Sequence, residues 1–395
     1  MGKLAGGLAL SSRILGANDR IRLGMIGPGA RGMELAGLVK ETDAEFVAFA
    51  DAYTENLERA KQRAPGAKTY LDYRYLLDDR NVDAVIIATP QHLHAEHFVA
   101  SLAAGKHVYQ EKTMAFTVEH AKRMRAAYQK AAGKLTVQIG HQDCSSGHIE
   151  EARGYLKQGL VGKITEIHAH MYRNSAHDKP QWSRPVPSSV TSEHVMWKAF
   201  LGEAPQRPFE ANRFVNWRFF WDYSGGNFYE NMSHQVAFWY KVLGLKITTK
   251  VVSNGGVFLW KDGREVPDTM MAAMVHSEDL MFTWDSGFGN EELSVTEDVL
   301  GTDGTISRGW TMQYRPQKVN RPDGVALAGK SDDRGQSRLT AAHIKNFLDC
   351  IRSGKEPNCP FELGFRTAIA CRMAVDSYRF GKVLRWDPAK EEIVV

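Results

Sequence analysis

Residues 21–32 constrain what this chain can fold into more than any other stretch. Ile21, Leu23, Met25 and Ile26 form a short apolar run that passes directly into Gly27, Gly29 and Gly32, a Gly-x-Gly-x-x-Gly turn. Gly27 permits the tight turn, Gly29 lets the backbone approach a pyrophosphate, and Gly32 lets the following helix pack closely on the strand. The free N–H groups at the helix start, around Ala30 and Arg31, then face the anion. A second apolar strand over 45–50 ends in Asp51, about 20 residues past the last glycine, where a carboxylate accepts hydrogen bonds from the adenosine ribose. Strand, turn, helix, strand and acid in this order predict a dinucleotide site; a Gly-rich turn with a helix-capping aspartate is the plainer alternative. Asp51 repels a 2′-phosphate, and Ala52, Tyr53 and Thr54 bring no arginine, so NAD is favoured over NADP.

At 395 residues the chain is too long for one typical domain and suggests two sharing an interface. Its net charge of +4 is dispersed, with no basic arm, and offers no footprint for nucleic acid. Cys144, Cys350, Cys359 and Cys371 contain no Cys-x-x-Cys pair and read as buried thiols rather than a disulfide framework or zinc site. Residues 1–18 resemble an export-signal tail, apolar and then Ser11-Ser12-Arg13, and are too short to span a membrane. They are similar to the end of a twin-arginine signal without its Arg-Arg pair, which implies a truncated start and a periplasmic or exported protein. A loosely docked leader on a cytoplasmic protein is the alternative.

The alternation continues with a helix over 54–64 and a buried strand over 84–89 that ends at Thr89 and Pro90. A helix over 95–104 is stopped by Gly105, a strand follows over 106–112, and after a helix over 117–132 another strand is predicted over 135–139. This is a doubly wound parallel sheet, whose ligands bind beyond the carboxyl ends of the strands. Thr89, Pro90, His94, Glu111 and Lys112 all lie near such ends and are candidate cofactor contacts.

With these motifs in order, the sequence resembles the glucose-fructose oxidoreductase and inositol dehydrogenase family, Gfo/Idh/MocA, over nearly its whole length. The glycine turn, Asp51, Thr89-Pro90 with His94, residues 104–108, Glu111-Lys112, Gly225-Gly226 with His234 and residues 381–388 carry the likeness. The resemblance implies an N-terminal Rossmann domain over 19–140. Residues 141–395 would form an α+β domain on a large open, mainly antiparallel sheet facing the cofactor, with C-terminal helices returning to the first domain. It further implies Glu111 and Lys112 beside the nicotinamide, a sugar enclosed by the second domain, and a homodimer or homotetramer formed through the second domain's sheet. Two departures stand out. The family's Glu-Lys-Pro reads Glu111-Lys112-Thr113 here, so cis-proline shaping of that turn is expected to be lost. The family's Asp-x-x-x-His appears as Glu230 and His234, whose spacing on a helix puts both side chains on one face, so that Glu230 is expected to hydrogen-bond the imidazole and fix its tautomer.

In the second domain, a helix is predicted over 146–159 and an alternating strand over 163–171. His168, His170 and Tyr172 on or beside that strand are candidate substrate contacts. With His177 they do not complete a metal-ligand pattern, and no metal is expected. An aromatic block over 214–223 contains Arg218 and Trp221, suited to sugar C–H faces and hydroxyls, although part of the block reads as packing. Strands are expected over 268–277 and 279–284, a polar mobile loop over 315–338, and helices over 343–353 and 364–380.

The leading functional expectation is an NAD-dependent oxidoreductase passing hydride between a secondary carbinol carbon of a sugar or glycoside and nicotinamide. His234 would be the base, oriented by Glu230, and Lys112 would stabilise alkoxide; Lys112 as the base competes with this. Two alternatives stand beside it: a redox-neutral glycosidase or epimerase that recycles tightly bound NAD, and a non-catalytic sensor that binds dinucleotide and sugar.

Overall fold

The computed structural model describes residues 20–131, 133–331 and 335–395; the leader lies outside them. The first half carries β1 (Arg22–Ile26), α1 (Ala30–Val39), β2 (Glu45–Ala50), α2 (Thr54–Arg63), β3 (Lys68–Tyr70), α3 (Tyr73–Asp78), β4 (Ala84–Ile87), α4 (His94–Ala103), β5 (His107–Gln110), α5 (Val118–Ala131) and β6 (Val137–Ile139), the expected strand–helix alternation with β3 and α3 added to it. The strands form one sheet in the order β3-β2-β1-β4-β5-β6, all parallel. All four residues of β4 are buried, the pattern required of a strand covered by helices on both sides. The order reverses between β1 and β4, which opens a crevice at their carboxyl ends.

The second half begins with α6 (His148–Lys157), β7 (Ile164–Met171), α7 (Trp197–Leu201), α8 (Ala211–Val215) and α9 (Ser233–Leu243). It continues through β8 (Lys250–Gly256), β9 (Thr269–His276), β10 (Leu280–Gly287), β11 (Val295–Gly301), β12 (Gly304–Arg308), β13 (Met312–Pro316) and β14 (Leu327–Ala328). It ends with α10 (Gln336–Ser353), α11 (Phe361–Phe380), β15 (Leu384–Asp387) and β16 (Glu392–Val394). The ten strands order as β14-β13-β12-β11-β7-β10-β9-β8-β15-β16, open at both ends. Among the described residues only β7 and β10 pair in parallel, so the sheet is mainly antiparallel, as the family resemblance implies. Its inner face, Ile167, Ala169, Phe282 and Trp284, packs with Phe228, Phe238 and the α11 residues Cys371, Met373 and Val375 in one apolar cluster. That cluster also takes in Val85, Ile87 and Val108 of the parallel sheet. Through Ile344, Phe347 and Leu348, α10 packs with Leu35 and Val39 of α1.

Two expectations change. The loop expected over 315–338 contains β14 paired to β13, and α10 starts at Gln336 rather than at 343. Nor does the large sheet face the crevice directly. Trp284 Nε1 donates to Gln235 Oε1 of α9 (2.7 Å), so α9 and the turn leading into it stand between the sheet and the crevice. The four cysteines are free and buried. Among the described residues no helix is long and apolar enough to cross a membrane.

Candidate active site

The carboxyl ends of β1, β2, β4 and β5 open into a cavity of about 1600 Å³. Gly27, with φ at +88°, turns the chain out of β1. A Cβ on Gly32 would lie 2.4 Å from the Gly27 carbonyl oxygen, whereas one on Gly29 would meet nothing within 4 Å. Gly32 is therefore required by strand–helix contact, and Gly29 presents bare backbone to the cavity. Ala30, Arg31, Asp51, Thr89 and Pro90 line the same cavity. Asp51 Oδ1 accepts from Tyr53 N and Oδ2 from Asn56 Nδ2, each at 2.9 Å. Burial pushes this carboxyl up to about 6 against those two hydrogen bonds. Each oxygen keeps acceptor capacity for a ribose hydroxyl, so bare glycine backbone, a helix start and this acid together fit a dinucleotide.

Beyond Thr89 the expected contacts divide. Glu111 reaches the cavity, where its Oε1 takes Arg31 Nε (2.9 Å) and its Oε2 takes Lys112 N (3.0 Å). His94 does not: it is fully buried, Nδ1 facing the Thr113 carbonyl (2.9 Å) and Nε2 the Thr89 carbonyl (2.8 Å). It ties the end of β4 to the turn after Lys112 instead of touching the cavity. The expectation that replacing proline removes the cis bond is corrected, since the Lys112–Thr113 peptide is cis. Thr113 provides contacts a proline lacks, its hydroxyl donating to the Tyr229 carbonyl (2.8 Å).

Lys112, Glu230 and His234 come together on one wall of the cavity, but not in the expected arrangement. Residues Phe228–Met232 form a π-turn before α9, so the 3.6-residue spacing that would stack Glu230 under His234 does not hold. Glu230 turns to other partners. Its Oε2 accepts from Lys112 Nζ (2.7 Å), and its Oε1 accepts from Gln91 Nε2 (2.9 Å) and pairs with Arg218 Nε (3.2 Å). Burial alone would raise its pKa, but Arg218 and Lys112 outweigh burial and bring it down to about 2. His234 Nδ1 is buried with no hydrogen-bond partner among the described residues. Burial, reinforced by the charges of Lys112 and Arg31, holds this imidazole well below its usual range. It is neutral, with a lone pair to offer.

Of the expected substrate contacts only Arg218 lines the cavity, its guanidinium over the Trp217 ring at 4.2 Å. His168, His170 and Tyr172 do not. His168 and His170 lie on the outward face of the ten-stranded sheet because Ile167, Ala169 and Met171 take the inward one. There His170 Nδ1 and Tyr172 OH bond Asp285. Trp221 packs on Tyr378 (5.9 Å) and beneath Arg379, outside the cavity. Sequence reading missed Gln91, whose Oε1 also accepts from Gly225 N (3.0 Å), and Arg173, Arg184, Trp182 and Asn231 on the cavity wall. Among the described residues no three His, Cys, Asp or Glu side chains converge to hold a metal.

Residues 21–140 match the family model described as oxidoreductase family, NAD-binding Rossmann fold (GFO_IDH_MocA). A 1-carboxy-3-chloro-3,4-dihydroxycyclohexa-1,5-diene dehydrogenase from Comamonas testosteroni is 33% identical over 153 residues, 38% of each chain. An inositol 2-dehydrogenase of Salmonella typhimurium is 30% identical over 177 residues, 44% of this chain and 52% of its own. The chain thus spans about half or less of the length of these relatives. In three dimensions it is similar to a levoglucosan dehydrogenase solved with NADH and levoglucosan, with a TM-score of 0.70 and 18% identity over 93% of this chain and 99% of that one. Residues 21–140 are thus identified as an NAD-binding Rossmann domain of the Gfo/Idh/MocA oxidoreductase type.

Proposed function

We propose that the protein is an NAD-dependent oxidoreductase of the sugar or polyol dehydrogenase type, acting on a secondary CH–OH carbon. The observation that carries this reading is that Lys112, Glu230 and His234 line the same cavity as the glycine turn and Asp51. The backbone at Gly27 and Gly29, Asp51 and the β4 end at Thr89 and Pro90 would hold NAD, which would supply the hydride acceptor. Neutral His234 takes the hydroxyl proton of the substrate. Lys112, already a donor in its ion pair with Glu230, turns a hydrogen bond to the same oxygen as negative charge develops there. Glu230 orients the lysine, not the imidazole. Trp217 and Arg218 offer a ring face and a hydrogen-bonding fork to the sugar. The molecule self-associates as a homodimer or homotetramer through the outward face of its ten-stranded sheet.

The test is NADH formation, followed by absorbance, with a panel of polyols, free sugars and glycosides. His234→Ala should lower turnover by about 10²–10⁴-fold with NAD affinity nearly unchanged, and Lys112→Met should abolish turnover. Because His234 stays neutral well below its ordinary pKa of 6.5, the acid limb of kcat/KM should lie below that pH. Full activity in the His234→Ala protein would remove the assigned base.

A further inference from the structure

Around Glu230 the cavity wall carries more positive charge than the chain neutralises. Lys112, Arg173, Arg184 and Arg218 all line it. The single Glu230 carboxylate is shared by Lys112 (2.7 Å) and Arg218 (3.2 Å). Arg173 donates to Asn231 Oδ1 (3.1 Å), lies 3.9 Å from Met171 Sδ and feels the same Glu230 charge, with no ion pair of its own among the described residues. Arg184 forms no ion pair among the described residues, and the charge acting on it is the like charge of Arg218, which together with burial lowers its pKa. Like charges do not gather without a cause.

The fold holds them there. Asn216, only 4% exposed, accepts from Arg184 N (2.8 Å) with Oδ1 and donates to the Arg184 carbonyl (3.1 Å) with Nδ2. This double clamp fixes the backbone of Arg184 against the segment that carries Trp217 and Arg218, and the stacking of Arg218 on Trp217 (4.2 Å) limits where that second cation can go. The matching anion is not the cofactor's pyrophosphate, which belongs at the glycine turn and the start of α1. An oxidised nicotinamide adds another positive charge, so a neutral sugar would leave the excess uncompensated.

We propose that the substrate is a sugar acid, whose carboxylate is bound by Arg184 beside Arg218 while the reacting hydroxyl meets Lys112 and His234. The inference rests on the oxidoreductase reading for the position of that hydroxyl. Guanidinium forks match the two coplanar oxygens of a carboxylate and form charge-assisted hydrogen bonds with it.

The experiment is calorimetric titration of the NAD-loaded protein with D-glucuronate and D-galacturonate, with the neutral D-glucose and D-galactose, and with glucose 6-phosphate. At least one uronate should bind about tenfold or more tightly than its neutral counterpart. Arg184→Gln should bring that ratio down several-fold, Arg184→Lys should retain part of it, and unchanged NAD affinity in the variants certifies the fold. The proposal is overturned if no uronate binds more tightly than its neutral counterpart, if Arg184→Gln leaves the ratio unmoved, or if the sugar phosphate binds more tightly than both uronates. NADH formation is read on the same samples. A uronate bound with Arg184-dependent preference but never oxidised would defeat the oxidoreductase reading alone, and a neutral sugar oxidised with no preference for acids would defeat the anion site alone.

Discussion

Asp51 enters the cavity with two hydrogen bonds already made, to Tyr53 N and Asn56 Nδ2, and with burial holding its pKa up near 6. Above that pH it is a carboxylate ready for the ribose diol; below it, binding NAD must first expel a proton. NAD affinity should therefore fall as pH drops through about 6, by up to about tenfold per pH unit. Calorimetry in buffers of different ionisation enthalpy should detect proton release there, and Asp51→Ala should abolish the release and narrow the preference for NAD over NADP. The linkage to folding has the opposite sense. A folded pKa above the ordinary 3.8 means that the burial of Asp51 costs stability above pH 6, and this cost disappears as pH falls toward 3.8. Asp51 was legible in the sequence because a strand end fixes it; its two extra partners were not, since they depend on how the next helix turns.

The glycine turn separates at the element scale into one residue that serves folding and one that serves binding. With a Cβ 2.4 Å from the Gly27 carbonyl, Gly32→Ala must push α1 away from β1, a loss of about 1–3 kcal/mol. Gly29 has ordinary backbone angles, φ −72° and ψ −163°, and open space where its Cβ would go. Gly29→Ala should leave the melting temperature unchanged and weaken NAD binding, whereas Gly32→Ala should lower the melting temperature by several degrees; equal melting shifts for both would reject the division. That turn could be read from sequence because each glycine answers a local backbone demand. The segment around Glu230 could not. Phe228, Tyr229, Met232, Val236, Ala237, Phe238, Trp239 and Tyr240 are all fully buried, so apolar periodicity gives no sign of where a π-turn replaces an α-turn. Gln91 escaped for another reason, because its bonds to Gly225 and Glu230 close loops of 134 and 139 residues.

At the scale of the whole molecule, the ten-stranded sheet is covered on one face by α9 and α11 and bare on the other. Its register aligns Val252, Ala273, Thr283, His168 and Asp298 in one row across β8, β9, β10, β7 and β11. On the same face Met271 is 51% exposed, Val252 47% and Met281 37%. The alternation of β7 leaves one face buried and one open but does not say what the open face meets, and His168 and His170, expected at the substrate, lie on the side away from the cavity. Long apolar side chains spread over a wide, regular sheet make a surface that gains by pairing with its own copy. Light scattering should therefore find two or four chains per particle, and the melting temperature should rise with protein concentration. Met271→Lys combined with Val252→Lys would set four like charges against each other across a two-fold axis, which should yield monomers with unchanged NAD affinity because neither residue touches the cavity. A wild-type protein that is monomeric at micromolar concentration, or a double variant that associates as the wild type does, would remove this face from the assembly.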